Sequence, residues 1–239
     1  MTSATKRRAL ITGASSGIGK ATALAFAKSG IDVALVSRSV DKLAAVKSAA
    51  LATGVEAQAY PLDLAEILQV QQKISAIAAD FGPIDILVNN AGMGYTSSLS
   101  ETPLEDWQQV MNLNLTSVFQ CILGILPMMR DHGLGTIINV ASVAGQQPFP
   151  NWGAYSVSKA GLIALSKTLA AEERTHGIRV TAICPGAVNT ELWDTLDLNF
   201  DRSSMLTPEI VAQSILYTAL LPEQAVIEEL ILMPSAGVL

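Results

Sequence analysis

The sequence predicts an α/β fold, a single doubly wound Rossmann-type domain with helices on both faces of a seven-stranded parallel sheet. Two observations carry this. Apolar blocks rich in β-branched residues alternate with helical-period segments along the whole chain, the pattern of a parallel sheet joined by right-handed crossovers. The strand blocks are continuous apolar runs rather than alternating ones, as expected of strands covered on both faces. Composition agrees: 50% of residues are apolar, 15% charged and only 5% aromatic. The core is therefore Ala, Val, Ile and Leu. No low-complexity linker or internal repeat interrupts the chain, so residues 1–239 read as one domain.

The first strand is Ala9–Thr12, followed by Asp32–Ser37, Glu56–Tyr60 and Ile84–Val88. The last three are Thr136–Ala141, Arg179–Cys184 and Val226–Leu232. Between them, residues 65–81 place Ile67, Val70, Ile74, Ile77 and Phe81 on one helical face. Thr102-Pro103-Leu104-Glu105 reads as a capping box with proline at the first helical position, opening a long helix towards Met129. Gly153–His176 has helical character, and Thr207-Pro208-Glu209 starts the last helix in the same way.

The net charge is 15 − 21 = −6. A nucleic-acid partner is not expected, because binding phosphate backbone needs a basic face. Cys121 and Cys184 read as buried small hydrophobes in a reduced compartment. No stretch reads as a membrane span, and the basic start Met1–Arg8 is not followed by an apolar leader and cleavage site. The expectation is a soluble cytoplasmic protein with no membrane partner.

Thr12-Gly13-Ala14-Ser15-Ser16-Gly17-Ile18-Gly19 lies between the first strand and the first helix. Gly13 allows a tight turn, Gly17 lets backbone approach a pyrophosphate, and Gly19 lets the helix pack closely on the sheet. Free amides at the helix start then face phosphate oxygens. A glycine turn alone would be weak, but its place directly after a strand and before a helix points to nucleotide binding. At the end of the second strand stand Ser37 and Arg38, where an NAD binder commonly has an acid for the ribose 2′-hydroxyl. A guanidinium there grips a 2′-phosphate instead, so the expected cofactor is NADP(H); the bland reading of Arg38 is a solvated loop charge. Asp63 and Leu64 follow the third strand, with Asp63 either taking the adenine amino group or capping a helix. Asn89-Asn90-Ala91-Gly92 follows the fourth, where small residues keep backbone close to a cofactor and Asn side chains can tie adjacent strands.

Tyr155 and Lys159 stand four apart, on one face of a helix. Ser142 ends the fifth strand, so all three can meet at the carboxyl edge of the sheet, where ligands bind in such folds. Reduction of a ketone leaves an alkoxide that needs a proton. A phenol has a reference pKa of about 10, and a neighbouring ammonium, here Lys159, lowers it. Ser142 can donate a hydrogen bond to the substrate oxygen, and Tyr155 becomes the base in the oxidative direction. Asn114 is locally unfavourable within a helix; it is either a satisfied amide or the holder of a water linking Lys159 to solvent. After the sixth strand, Pro185-Gly186-Ala187-Val188-Asn189-Thr190 can contact a nicotinamide amide through backbone groups and the Thr190 hydroxyl, or be a plain turn.

Taken together, these motifs resemble the short-chain dehydrogenase/reductase family over essentially the whole chain. The resemblance rests on residues 12–19, 89–92, Asn114, Ser142, Tyr155-x-x-x-Lys159 and 185–190, in the family's order. It implies an NAD(P)-dependent oxidoreductase with a Ser-Tyr-Lys core and an Asn in the relay, sheet order 3-2-1-4-5-6-7 and a homotetramer. The long helices around 104–129 and 153–176 would form one interface of that assembly, and the helix at 208–220 with the last strand another. One departure stands out. The family's 3-oxoacyl-carrier-protein reductases usually end on a glycine-rich segment, whereas Val226–Pro234 here resembles the branch acting on small carbonyl compounds. Residues 190–207 read as a short substrate lid whose apolar Leu192, Trp193, Leu196, Leu198 and Phe200 either meet the substrate or only pack onto the protein.

The expected activity is NADPH-dependent reduction of a ketone to a secondary alcohol, with a small carbonyl or alcohol as partner. The alternative is 3-oxoacyl-carrier-protein reduction, for which Arg130 and Arg174 are the candidate docking cations. A non-catalytic NADP(H) sensor is the third reading. His132 and His176 read as helix-end residues, not metal ligands, and no Gly-x-Ser-x-Gly elbow suggests a hydrolase.

Overall fold

The computed structural model describes residues 6–196 and 201–237. Seven parallel strands form one sheet in the order β3-β2-β1-β4-β5-β6-β7. They are β1 Arg8–Thr12, β2 Asp32–Ser37, β3 Ala57–Pro61, β4 Ile86–Asn89, β5 Gly135–Val140, β6 Ile178–Pro185 and β7 Glu229–Leu232. The helices are α1 Gly17–Lys28, α2 Val40–Leu51, α3 Ile67–Phe81, α4 Leu104–Met111, α5 Ser117–His132, α6 Gly153–Glu173 and α7 Pro208–Ala219.

Side chains alternate across the central strands, so β1 sends Leu10 to one core and Ala9 and Ile11 to the other. The first core joins Leu10 and Leu87 to Ile74 of α3, Ile122 and Ile125 of α5 and Leu162 of α6. The second joins Ile11 and Val88 to Phe26 of α1, Leu43 of α2 and Ile215 of α7. Each such fully buried aliphatic contributes about 1.5–3 kcal/mol relative to exposure. Stacking both cores on one sheet forces every β-to-α connection to its carboxyl edge. The ends of β1, β2, β4, β5 and β6 therefore converge on a single cleft.

Most strand ends differ from the sequence reading by one or two residues, and three larger differences have a structural cause. Thr102 is not a helix cap. Its hydroxyl donates to the Ser98 carbonyl at 2.8 Å, so Pro103 stays extended (φ −60°, ψ 147°) as the N-cap and α4 starts at Leu104. The expected continuous helix contains a π-helical segment, Asn112–Thr116. The whole run Leu104–His132 is 29 residues and apolar enough to span a membrane by length and composition, but half of its most apolar stretch is buried inside the fold. Finally, β7 begins at Glu229 rather than Val226. Arg179 Nη1 donates to the carbonyls of Leu221, Pro222 and Ala225, each at 3.0 Å, and holds that turn outside the sheet. The predicted cap of the last helix is present: Thr207 Oγ1 accepts from Ile210 N, with Pro208 in the first turn.

Candidate active site

The cleft at the carboxyl edge has a volume of about 530 Å³. It is lined by Gly13, Ser15, Ser16, Gly17, Ile18, Ser37, Arg38, Asp63, Leu64, Asn90, Ala91, Gly92, Ser142, Tyr155, Lys159, Pro185, Gly186, Val188 and Thr190. Of the site residues read from the sequence, only Gly19 and Asn114 lie behind its wall.

One end is a cradle of backbone. Gly13 and Gly17 have φ of +64° and +50°, a region side chains rarely adopt. Ser16, the N-cap of α1, makes no side-chain capping bond, so the first-turn amides are open to an anion. A Cβ on Gly19 would overlap the Gly13 carbonyl oxygen and Asn90 Nδ2. That Asn90 nitrogen donates to the carbonyls of Thr12 (3.1 Å) and Gly13 (3.3 Å), pinning the loop. Gly19→Ala should therefore push α1 off the loop. The expected cost is about 1–3 kcal/mol of stability together with weaker dinucleotide binding, read by thermal melts with and without NADPH.

At the far side, the Arg38 side chain is 71% exposed and lies 3.8 Å from Asp63 Oδ2. Asp63 Oδ1 accepts from Ala65 N at 2.9 Å. That bond closes a turn and does not cap α3, whose N-cap is Glu66. Asp32, at the opposite end of β2, accepts from Glu56 N at 2.7 Å and serves the sheet.

The predicted tie between strands is present. Asn89 Nδ2 donates to Asn139 Oδ1 at 2.9 Å, and Asn139 Nδ2 continues to Ser166 Oγ of α6 at 2.9 Å. This buried chain fixes α6, and with it Tyr155 and Lys159, against β4 and β5. Asn139 and Ser166 were missed in the sequence, although an Asn inside the apolar run Thr136–Ala141 was a usable signal.

Ser142 sits at the end of β5, its Oγ accepting from Ala144 N at 3.1 Å. Burial raises the Tyr155 phenol above 10, and the Ser142 hydroxyl hydrogen-bonded to it acts in the opposite direction. Lys159 Nζ lies 5.7 Å from the Tyr155 ring centroid and donates to the Val140 carbonyl at 2.8 Å. Here the sequence expectation is corrected. The lysine does not bring the phenol below its ordinary value in this structure. Lys159 is itself buried, which drops its own pKa to about 8.

The π segment turns Asn114 fully inward. Its Oδ1 accepts from Met93 N (2.8 Å), while Nδ2 donates to Met93 O (2.9 Å) and Ser158 Oγ (3.1 Å). The amide is thus hydrogen-bonded to protein groups through both its oxygen and its nitrogen. It clamps the loop after β4 onto α6, three residues from Tyr155.

The other end of the cleft is aromatic. Trp152 packs edge-on against Tyr155 at 5.3 Å between centroids and against Trp193 at 5.9 Å, with Phe149 beside them in the lining. Trp152 and Phe149 were also missed, though an aromatic pair just before Tyr155 is conspicuous in a chain so poor in aromatics. Trp193 belongs to the segment read as a lid. That segment is anchored by a parallel bridge between Val188 and Leu206 and by Trp193 Nε1 donating to the Val188 carbonyl at 2.8 Å. Leu192 and Leu196 lie against Gly94; Leu198 and Phe200 fall outside the described residues.

Neither candidate docking cation is free. Arg130 binds Glu173, which is 1% exposed, with Nε at 2.8 Å from Oε2. Arg174 pairs with Glu228 at 3.0 Å. His176 lies 3.3 Å from Glu173 at the end of α6, and both cysteines are buried and free.

A glycine cradle, an arginine at the adenosine end and a Ser-Tyr-Lys cluster on one sheet edge define a dinucleotide-dependent oxidoreductase architecture. The short chain dehydrogenase family matches residues 7–199, and the chain belongs to that family. A 3-oxoacyl-[acyl-carrier-protein] reductase of Synechocystis is 42% identical over 82% of this chain and 80% of its own length. Among solved structures, the alcohol dehydrogenase of the archaeon Thermococcus sibiricus, complexed with 5-hydroxy-NADP, has a TM-score of 0.89 at 30% identity, covering 96% of this chain and 97% of that one. A metagenomic short-chain oxidoreductase in complex with NADP has a TM-score of 0.84 at 31% identity, covering 96% and 97%.

Proposed function

We propose that this oxidoreductase uses NADP(H) to reduce a neutral ketone to a secondary alcohol, reversibly, with 190–207 as its substrate lid. The observation that carries this is the Tyr155 phenol beside the Ser142 hydroxyl, at the aromatic end of a cleft whose opposite end is a glycine cradle with Arg38. The relatives solved with NADP-type ligands support the choice of cofactor.

Gly13, Gly17 and the α1 amides would hold the pyrophosphate, and Arg38 with Ser37 the 2′-phosphate. Backbone of Asn90, Ala91, Gly92, Pro185, Gly186 and Val188, with Thr190, would flank the nicotinamide half. Bound there, the dinucleotide supplies the electron pair as hydride. Tyr155 delivers the proton to the carbonyl oxygen, and Ser142 donates a hydrogen bond to the same oxygen as its charge develops. Lys159 places a positive charge behind the phenol when protonated. Asn114 positions Met93 and α6.

Arg38→Ala should lower kcat/KM for NADPH about 10-fold, the worth of a charge-assisted hydrogen bond, and leave NADH unaffected. Steady-state assays with both cofactors read this; a wild type that already prefers NADH refutes the assignment.

The 42% identical reductase favours a second reading, with acyl carrier protein as substrate carrier. Against it, Arg38 and Lys159 are the only cations among the described residues that line the cleft, and Arg130 and Arg174 are engaged by acids. Acetoacetyl thioesters assayed beside small ketones, by NADPH absorbance, separate the two readings. A homotetramer is part of the proposal. Leu104, Phe119 and Val157 on α4, α5 and α6, and Ile210, Tyr217 and Ile231 on α7 and β7, are exposed apolar residues on the two faces named for it. A cytoplasmic location accords with the buried free thiols.

A further inference from the structure

Resting on the ketone-reductase reading, we propose that Trp152 and Trp193 are specificity-determining residues that select neutral ketones carrying a flat, aryl substituent.

The chain has only three Trp, four Tyr and five Phe, yet Phe149, Trp152, Tyr155 and Trp193 all line one end of one cleft. A core built of aliphatics has no packing need for that concentration. The backbone that presents Trp152 is also fixed. Asn151 before it has φ +66° and is the only non-glycine among the described residues with positive φ, a conformation tolerated by Asn but uphill for it. The Asn151 carbonyl accepts from Ser97 N at 2.8 Å, and Trp152 bridges Ser97 in parallel β fashion. The turn that presents Trp152 is thus tied to the Ser97 backbone on both sides.

The placement is specific. Trp152 meets Tyr155 edge-on, and Trp193 meets Trp152 edge-on, with Trp193 fixed through its indole N–H on the Val188 carbonyl. One indole thus stands against the Tyr155 ring, and the second stands behind the first. An aromatic substituent on the carbonyl carbon gains offset or edge-to-face contact with them, beyond the area it buries. Charge decides the rest. Glu191, which also lines the cleft, pairs with Lys42 at 2.7 Å, and Lys159 is bound to the Val140 carbonyl. A substrate carboxylate or phosphate would enter this wall without a free cation among the described residues. The reaction balances as for any ketone: the carbonyl carbon gains hydride from NADPH, the oxygen gains the proton of Tyr155, and alcohol and NADP⁺ leave.

The test compares acetophenone, cyclohexyl methyl ketone and phenylpyruvate in wild type, Trp152→Leu, Trp193→Leu and Trp152→Phe. Wild type should favour acetophenone over the cyclohexyl ketone about 3- to 10-fold in kcat/KM, and phenylpyruvate should be the poorest. In either leucine variant the ratio of kcat/KM for acetophenone to that for the cyclohexyl ketone should fall to about 1, chiefly through the KM for acetophenone, and Trp152→Phe should retain most of the preference. Equal or reversed preference in wild type overturns the proposal, as does an equal loss on both neutral ketones in the leucine variants. If none of the ketones oxidises NADPH in wild type, the ketone-reductase reading itself falls.

Discussion

Tyr155→Phe should reduce turnover about 10³-fold, within the range a positioned general acid supplies, while NADPH affinity stays at the wild-type value. The substitution removes one oxygen and keeps the ring that packs on Trp152, so the fold and the glycine cradle have no reason to change. Ketone-dependent NADPH oxidation reads the first quantity and a fluorescence titration of bound NADPH the second. The same pair of measurements separates an enzyme from a nucleotide sensor, since a sensor would have no turnover to lose. Undiminished turnover would remove Tyr155 from its role. The pH dependence follows from burial. With the phenol raised above 10, Tyr155 is a protonated acid at neutral pH, ready for reduction. Alcohol oxidation needs the phenolate, so its rate should climb with pH, whereas reduction should not. Lys159, at about 8, loses its charge across the same alkaline range, which makes the climb shallower than for a phenol beside a permanent cation.

Arg130→Leu should destabilise the protein, seen as a lower Tm. Glu173 is fully buried and holds Arg130 through both carboxylate oxygens. Leucine would leave the acid with only the half-exposed His176. The cost stays below that of a fully buried pair because Arg130 is itself 46% exposed. The sign with pH is fixed by the direction of the shift. The Arg130 guanidinium holds the Glu173 carboxyl below its ordinary value of 4.5. Its contribution is complete above about 4.5 and disappears as pH falls through the lower, folded-state value. Urea melts at pH 7 and pH 3 should therefore differ less in Arg130→Leu than in wild type. A variant as stable as wild type at pH 7 would show that the pair is dispensable. The pair also joins α5 to α6, so its loss bears on the helix that carries Tyr155.

Much of the site was legible because its chemistry is local in sequence. The glycine loop needs three glycines within one strand-to-helix turn, and Tyr155 and Lys159 are one helical turn apart. What escaped was non-local. Asn139 and Ser166 matter because β5 and α6 happen to face one another, 27 residues apart. Thr102 looked like a cap, but its hydroxyl found a carbonyl in the preceding turn, Ser98, before the helix could use it. The charge of Lys159 was read from its neighbour in the sequence. Its actual partner is the Val140 carbonyl, brought beneath it by the sheet. Arg130 and Arg174 looked available because their acids lie 43 and 54 residues away.

By itself the sequence determined the strand and helix alternation, the two-faced burial of the sheet, the glycine loop and the Ser-Tyr-Lys set. All of these follow from periodicity, or from short-range spacing that survives without knowing what packs on what. Only the tertiary structure decided the inward turn of Asn114 at the π segment, the seat of Trp152 against Tyr155 and the pairing of the surface arginines. Each of these depends on which distant backbone groups and charges are brought within a few ångströms. No local pattern in a chain encodes that distance.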